Sequence, residues 1–231
     1  MTRKPAYTPA LGRPGLTPAY DMILGLTTRE RRWRALLLRQ IDPRPGDRIL
    51  DVGCGTGTFA LMLKKAEPLA EVIALDPDEQ ALAIAEAKRA AAGLEVTFVH
   101  GFLLDELVKP HRPFNKITSS LVLHQTPLKE KKRIISSIRH LLQPGGEFHL
   151  ADFGQQRGIM RLAFRLSVQL LDGVADTQPH ADGLLPELLR SQGFKQFQQT
   201  DSVTTITGEI ALFRAIKAAA GRPTTVPLAG A

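Results

Sequence analysis

The spacing of apolar residues changes repeatedly between residues 28 and 217, and the changes predict alternating strands and helices. Short apolar runs of strand length occupy residues 48–53, 71–76, 95–101, 114–123 and 147–152. Stretches with helical spacing separate most of these runs. Strands that alternate with helices of 10–15 residues are joined by right-handed crossovers into a parallel sheet. The pattern therefore predicts a doubly wound α/β fold.

Local signals place several helix ends. Thr27 begins a capping box, which predicts a first helix over about 28–41. Asp78 is the expected N-cap of a helix that Gly93 ends. Pro127 is expected to open a further helix. The arginines of the first helix make its polar face strongly basic.

The alternation changes after residue 152. Residues 155–183 form an insert in which one helix, about 158–171, is expected. A helix then precedes two strands that form an antiparallel pair at the sheet edge. We therefore expect a Rossmann-like seven-stranded sheet, mostly parallel with an antiparallel C-terminal edge pair. An N-terminal arm (1–27) and a flexible tail (218–231) would flank the main domain (28–217).

Composition narrows the class of protein. The chain has 231 residues, of which 43% are hydrophobic, as expected for one compact domain. Its single cysteine, Cys54, excludes an internal disulfide framework and a cysteine metal cluster, so no metal is predicted. A single cysteine also favours a reducing compartment, and we expect a cytoplasmic location. No apolar stretch is long enough to be a transmembrane segment.

Charge is distributed unevenly. The net charge is +7, and residues 1–48, with ten basic against four acidic side chains, carry +6 of it. Such an excess can attract nucleic acid, an anionic substrate or a membrane surface, or it can simply be the solvated face of a helix.

The stretch ILDVGCGTGTFAL (49–61) carries the strongest functional signal. Three glycines at Gly53, Gly55 and Gly57 follow a strand and precede a helix, which builds a concave site where a ligand can approach the main chain. A dinucleotide fingerprint would require a third glycine where Thr58 stands. The alternative pattern, D-x-G-x-G-x-G, begins with Asp51, an acid suited to a ligand that carries a cation.

Four segments together resemble class I S-adenosylmethionine (SAM)-dependent methyltransferases, closest to the ubiquinone and menaquinone branch. They are LDVGCGTG, VIALDPDEQALAIAEA, FNKITSSLVLHQTP and LLQPGGEFHLAD, and they occur in the family's order and spacing. The resemblance covers about residues 20–217. It implies SAM as cofactor, with Asp76 on the ribose hydroxyls and the Gly53 and Ser119 carbonyls on the ammonium. The implied cofactor-binding set is Asp51, Gly53, Gly55, Gly57, Asp76, Pro77, Gly101, Phe102 and Ser119.

One position departs from the family pattern. The family often has an aspartate, which bonds the adenine amine, where this chain has Phe102. The aromatic side chain is expected to pack on the ring instead.

Methyl transfer needs proximity and orientation, and it needs a base only where the nucleophile must lose a proton. Candidates lie at the carboxyl ends of strands, where doubly wound folds place their sites. His124 and Asp152 occupy such positions, and Tyr20 resembles the YD that opens many methyltransferases of this branch. These three are the predicted catalytic residues, and His180 in the insert is a further candidate.

Three functions follow from these observations. A small-molecule methyltransferase is favoured, because the arm and the insert resemble covers over a pocket. The basic N-terminus suggests a nucleic-acid methyltransferase, but no RNA-binding module or motif for base amines accompanies it, so nucleic acid is not the expected partner. A non-catalytic SAM-binding regulator is the third. The apolar insert helix is expected to close over the acceptor or, alternatively, to mediate a homodimer.

Overall fold

A computed structural model describes residues 29–103, 105–111 and 113–219. Seven strands form one sheet in the order β3-β2-β1-β4-β5-β7-β6. Strands β1 to β5 run parallel, whereas β7 is antiparallel to both of its neighbours. The predicted Rossmann-like fold with an antiparallel edge pair is confirmed. The strands are β1 (Arg48–Val52), β2 (Glu71–Asp76), β3 (Thr97–His100), β4 (Phe114–Ser120), β5 (Leu142–Phe153), β6 (Gln196–Thr205) and β7 (Gly208–Ile216).

Nine α-helices connect or flank these strands within the described ranges. They are α1 (Glu30–Ile41), α2 (Thr58–Ala66), α3 (Glu79–Ala92), α4 (Asp105–Val108), α5 (Leu128–Leu141), α6 (Gly158–Leu166), α7 (Val168–Asp172), α8 (Val174–Ala181) and α9 (Leu185–Ser191). Two short 3₁₀ turns, Lys109–His111 and Leu123–Gln125, precede β4 and α5.

Side-chain alternation along the strands creates two hydrophobic cores, one on each face of the sheet. Leu50 and Val52 of β1 belong to the core that α5 and α9 cover, whereas Ile49 points to the opposite core. That second core is closed by α1, α2 and the first helices of the insert, through residues such as Trp33 and Phe164. Both faces of the central strands are thus buried, which explains their continuous apolar sequences.

Several predicted helix ends agree with the structure. The Asp78 side chain accepts hydrogen bonds from the amides of Gln80 and Ala81, and Gly93 ends α3 with a φ of 61°. Helix α1 begins at Glu30, and its N-cap position is occupied by Arg29 with a φ of 50°. The proposed capping residue Thr27 lies outside the described residues, as do the arm and most of the tail.

The prediction of one helix over about 158–171 was wrong, because the insert contains three short helices, α6 to α8. Ser167 leaves helical geometry with φ −119° and ψ −79°, which separates α6 from α7. Gly173, with a φ of 85°, separates α7 from α8. Among the described residues, no helix has the length and apolar character needed to cross a membrane.

Candidate active site

The glycine loop lies at the carboxyl edge of the sheet, between β1 and α2. The amides of Gly53 and Cys54 both donate to the Leu75 carbonyl of β2, at 2.8 and 3.1 Å. Gly53, Gly55 and Gly57 all have positive φ angles, between 52° and 74°. The loop therefore folds back against β2 and leads into the amino end of α2.

The three glycines are required for different reasons. A Cβ at Gly53 would lie 2.3 Å from the Val122 side chain, and one at Gly57 would lie 2.7 Å from the Phe98 ring. A Cβ at Gly55 would meet no heavy atom within 4 Å. Packing therefore demands glycine at the outer two positions, whereas Gly55 faces open space at the strand edge, where a ligand can approach the backbone.

Asp76 ends β2 beside this open space. One carboxylate oxygen accepts from the Gly55 amide and the other from the Asp78 amide, both at 2.8 Å. Burial raises the pKa of Asp76, against the opposing effect of the two amides. Each carboxylate oxygen retains a second acceptor position. Asp76 can therefore hold the loop and bind a pair of ligand hydroxyls together.

Asp51, the acid that precedes the glycines, is fully buried, and neither of its carboxylate oxygens has a hydrogen-bond partner. Burial raises its pKa to about 7, the nearby Arg34 guanidinium lowers it in part, and Asp76 adds to the rise. Buried polar groups are nearly always satisfied. A buried carboxylate without a partner beside an open glycine loop fits a site completed by a ligand that carries hydrogen-bond donors.

The remaining predicted cofactor residues line the same edge. Ser119, the penultimate residue of β4, is paired with Val52, and its hydroxyl donates to the Val52 carbonyl at 2.9 Å. The Gly101 amide donates to the Asp76 carbonyl at 3.0 Å, which places Phe102 just beyond β3. The Pro77 carbonyl lies 3.1 Å from His100 Nε2. The structure thus brings the predicted set to the ends of four neighbouring strands.

Two of the three predicted catalytic residues contact one another. His124 Nδ1 lies 2.8 Å from an Asp152 oxygen, and both side chains are buried. The other Asp152 oxygen accepts from the amides of Leu123 and His124, at 2.8 and 3.3 Å. On its far side, His124 Nε2 lies 3.5 Å from Asp172 of α7. Tyr20 lies outside the described residues.

Charge stabilises this pair. Burial alone would lower the pKa of His124, but the Asp152 and Asp172 carboxylates raise it to about 9. Burial alone would raise the pKa of Asp152, but His124 lowers it to about 2. These shifts favour the charged form of the pair at neutral pH, a His124 imidazolium beside the Asp152 carboxylate.

Buried contacts connect the insert to the His124–Asp152 pair. Lys131 of α5 is fully buried and donates to the carbonyls of His124, Thr126 and Asp176, the first at 3.1 Å and the last at 2.7 Å. His180 of α8 is also fully buried, and its Nε2 lies 4.0 Å from Asp152. Neither of its ring nitrogens has a hydrogen-bond partner, and burial lowers its pKa to about 3.

Sequence reasoning did not identify Asp172 or Lys131 as members of the cluster. Asp172 ends a helix whose boundaries were not predicted, and Lys131 lies among several charged residues of α5 that look alike in sequence. Only the burial of Lys131 distinguishes it, and burial follows from the tertiary packing of the insert.

A mostly parallel sheet with an open glycine loop, an acid at the end of β2 and a buried unpartnered acid near the end of β1 defines a Rossmann-like site for SAM. The chain belongs to the class I SAM-dependent methyltransferases, in the menaquinone-type branch that its motifs predict. A family model described as "Methyltransferase domain" matches residues 49–146. SAM fits the residues present, because its ammonium and ribose hydroxyls supply donors for Asp51 and Asp76.

Known proteins agree with this assignment. A demethylmenaquinone methyltransferase of Thermus thermophilus is 31% identical over 157 residues, covering 67% of this chain and 70% of that protein. A ribosomal RNA small subunit methyltransferase C of Stutzerimonas stutzeri is 34% identical, but over only 50% of this chain and 35% of that protein. The solved structure titled "PigF with SAH" has a similar fold, with a TM-score of 0.69 at 16% identity, over 90% of this chain and 61% of that one.

Proposed function

We propose that this methyltransferase acts on a small organic acceptor held between the carboxyl edge of the sheet and the insert. The observation that carries the proposal is the attachment of the insert over the strand ends through the buried His124–Asp152 pair. The name of the Thermus relative makes demethylmenaquinone the first acceptor to test. The nucleic-acid alternative has weaker support, since the ribosomal RNA relative matches only 50% of this chain and 35% of its own length.

Bound SAM supplies an electrophilic methyl group. The chain contributes binding and orientation: Asp76 accepts from the ribose hydroxyls, and Asp51 accepts from the ammonium end. Gly55 leaves the backbone accessible between them. Positioning of this kind is the main requirement of methyl transfer by in-line displacement.

We further propose that His124 and Asp152 position the insert and do not act as the base. A general base works best with a pKa near the working pH and with a free lone pair. The His124 pKa of about 9 keeps it protonated, and a carboxylate lies beside each of its ring nitrogens. Asp152 is charged but shared between His124 and three backbone amides.

Turnover tests the function directly. Purified protein is incubated with SAM and either demethylmenaquinone or ribosomal RNA, and release of S-adenosylhomocysteine is measured. The proposal expects release with the small acceptor and loss of that release in Asp76→Ala. Release with RNA alone would establish the nucleic-acid alternative, and SAM binding without turnover on either acceptor would favour a regulator.

The arm (1–27) and the insert (155–183) are proposed to cover the acceptor during the reaction. Hydrogen exchange measures this, because both segments should gain protection when SAM and acceptor bind. Protection that follows protein concentration instead would indicate a homodimer. A cytoplasmic location remains a proposal that rests on the single cysteine, and cell fractionation tests it.

A further inference from the structure

The outer surface of the insert is unusually apolar. Six of the nine large hydrophobic side chains that are exposed in the described residues lie within 16 consecutive positions. Each is between 55% and 77% exposed, and they are Ile159, Leu162, Leu166, Leu170, Leu171 and Val174, here called the insert patch. Single exposed apolar residues are ordinary, whereas a concentration of them in one short segment marks a candidate interaction site.

Contacts on the inner side of the insert prevent it from rotating to bury this patch. Its inner side is fixed by Phe164, which packs on Phe153 at a ring separation of 5.0 Å, and by the approach of Asp172 to His124. The Asp176 carbonyl also accepts from the buried Lys131. Because these buried apolar and polar contacts lie on the inner side of the insert, the insert patch stays outward.

Arginines border the apolar stripe along α6. Ile159, Leu162 and Leu166 share the spacing of one helix face, opposite the buried Phe164. Arg157, Arg161 and Arg165, spaced by four residues, form the neighbouring stripe, and all three are exposed. Arg161 pairs with Asp182 at 2.8 Å, also on the surface.

An apolar stripe flanked by arginines has the chemistry of a helix that lies in the interface of a lipid bilayer. The aliphatic side chains enter the acyl boundary, and the arginines reach the headgroups. A second copy of the chain is a poorer occupant, because a symmetric contact would place the arginine stripes of the two copies near one another. An anionic lipid surface complements the exposed arginine stripe of Arg157, Arg161 and Arg165.

We propose that the insert patch docks this protein on the surface of an anionic lipid bilayer, with α6 and α7 lying in the interface. The proposal goes beyond methyl transfer and does not depend on which acceptor is used. It assigns the insert two surfaces, an inner one that closes on the active site and an outer one that binds lipid.

Sedimentation with vesicles tests the proposal on the full chain. Vesicles of an equimolar mixture of phosphatidylglycerol and phosphatidylcholine should bind the protein, and vesicles of phosphatidylcholine alone should bind it more weakly. The double variant Leu162→Gln/Leu166→Gln should weaken binding at least about tenfold, since two exposed leucines no longer enter the lipid. Arg157→Gln/Arg165→Gln should reduce the preference for anionic vesicles by about fivefold per arginine.

The matched control is Leu69→Gln/Ile206→Gln, which removes two aliphatic side chains from outside the insert that are, at 73% and 72%, at least as exposed as Leu162 and Leu166. It should bind vesicles as the wild type does. SAM affinity by calorimetry should be unchanged in every variant, which shows that each remains folded. Absence of vesicle binding would overturn the proposal, as would equal losses in the control. A concentration-dependent dimer that only Leu162→Gln/Leu166→Gln disrupts, without lipid binding, would assign the patch to a second copy and overturn it too.

Discussion

Replacement of Asp51 by asparagine separates the effect of this residue on the free energy of unfolding from its effect on SAM affinity. Burial raises the pKa of Asp51 from 3.8 to about 7 on folding, and no hydrogen bond to its carboxylate oxygens offsets this rise. At about 1.4 kcal/mol per pKa unit, ionised Asp51 lowers the free energy of unfolding by about 4 kcal/mol. Asp51→Asn removes this penalty, so the free protein should become more stable while SAM binding weakens.

The difference in stability between Asp51→Asn and the wild type should change with pH in one direction. A carboxyl whose pKa is raised on folding contributes its stability below the unfolded pKa of 3.8 and loses it as the pH rises through about 7. The stability advantage of Asp51→Asn should therefore be small near pH 4, grow up to about pH 7 and stay constant above it. Urea unfolding at a series of pH values measures this curve, and calorimetry measures SAM affinity.

Asp152→Asn is the matched control, since Asp152 is equally buried at another strand end but has a lowered pKa of about 2. Its carboxylate contributes stability above pH 3.8 that is lost as the pH falls through about 2. The control should therefore destabilise the protein at neutral pH, by about 3–5 kcal/mol, because it leaves the His124 imidazolium without its main partner. A stability difference for Asp51→Asn that does not change with pH, or unchanged SAM affinity, would refute the account of Asp51.

Three further outcomes follow from the site. Asp76→Ala should weaken SAM binding by at least roughly 10- to 100-fold, since the loss of even one hydrogen bond to a charged group costs about 1.5–3 kcal/mol. Wild-type affinity by calorimetry in a folded variant would contradict this. Gly55→Val should abolish SAM binding while lowering the free energy of unfolding by only about 1–2 kcal/mol, the cost of a positive φ. Gly57→Val should lower the melting temperature much further, because its Cβ would meet Phe98. Similar melting temperatures for the two variants would refute the distinction. His124→Gln should destabilise the protein most below about pH 6.5, because His124 has a raised pKa in the folded state. The difference in free energy of unfolding from the wild type should shrink as the pH rises through about 9. A difference that does not change with pH would contradict the charged His124–Asp152 pair.

The sheet and the cofactor loop could be predicted from sequence because their signals are local. Apolar runs of strand length, the Asp78 cap and the Gly93 stop are each set by a few neighbouring residues. The glycine spacing likewise predicted the loop. It could not show that Gly53 and Gly57 are needed for packing against Val122 and Phe98, which come from distant parts of the chain.

The insert was predicted less well because its helices are defined by contacts across the fold. Its apolar residues suggested one long helix, yet Ser167 and Gly173 divide it so that Phe164 can pack on Phe153 and Asp172 can reach His124. The charge state of His124 was equally hidden from sequence, since it depends on carboxylates that lie 28 and 48 positions away.

The position of β7 has a consequence for how the protein is made. This last strand, Gly208–Ile216, lies between β5 and β6 in the sheet and pairs with both. During synthesis the long β5 strand therefore keeps an open edge until residue 216 has been added, and β6 has no strand to join. Open edges invite pairing with other chains. A chain that stops before β7 would lose two strands at once and expose the β5 edge, so quality control should remove incomplete chains rapidly.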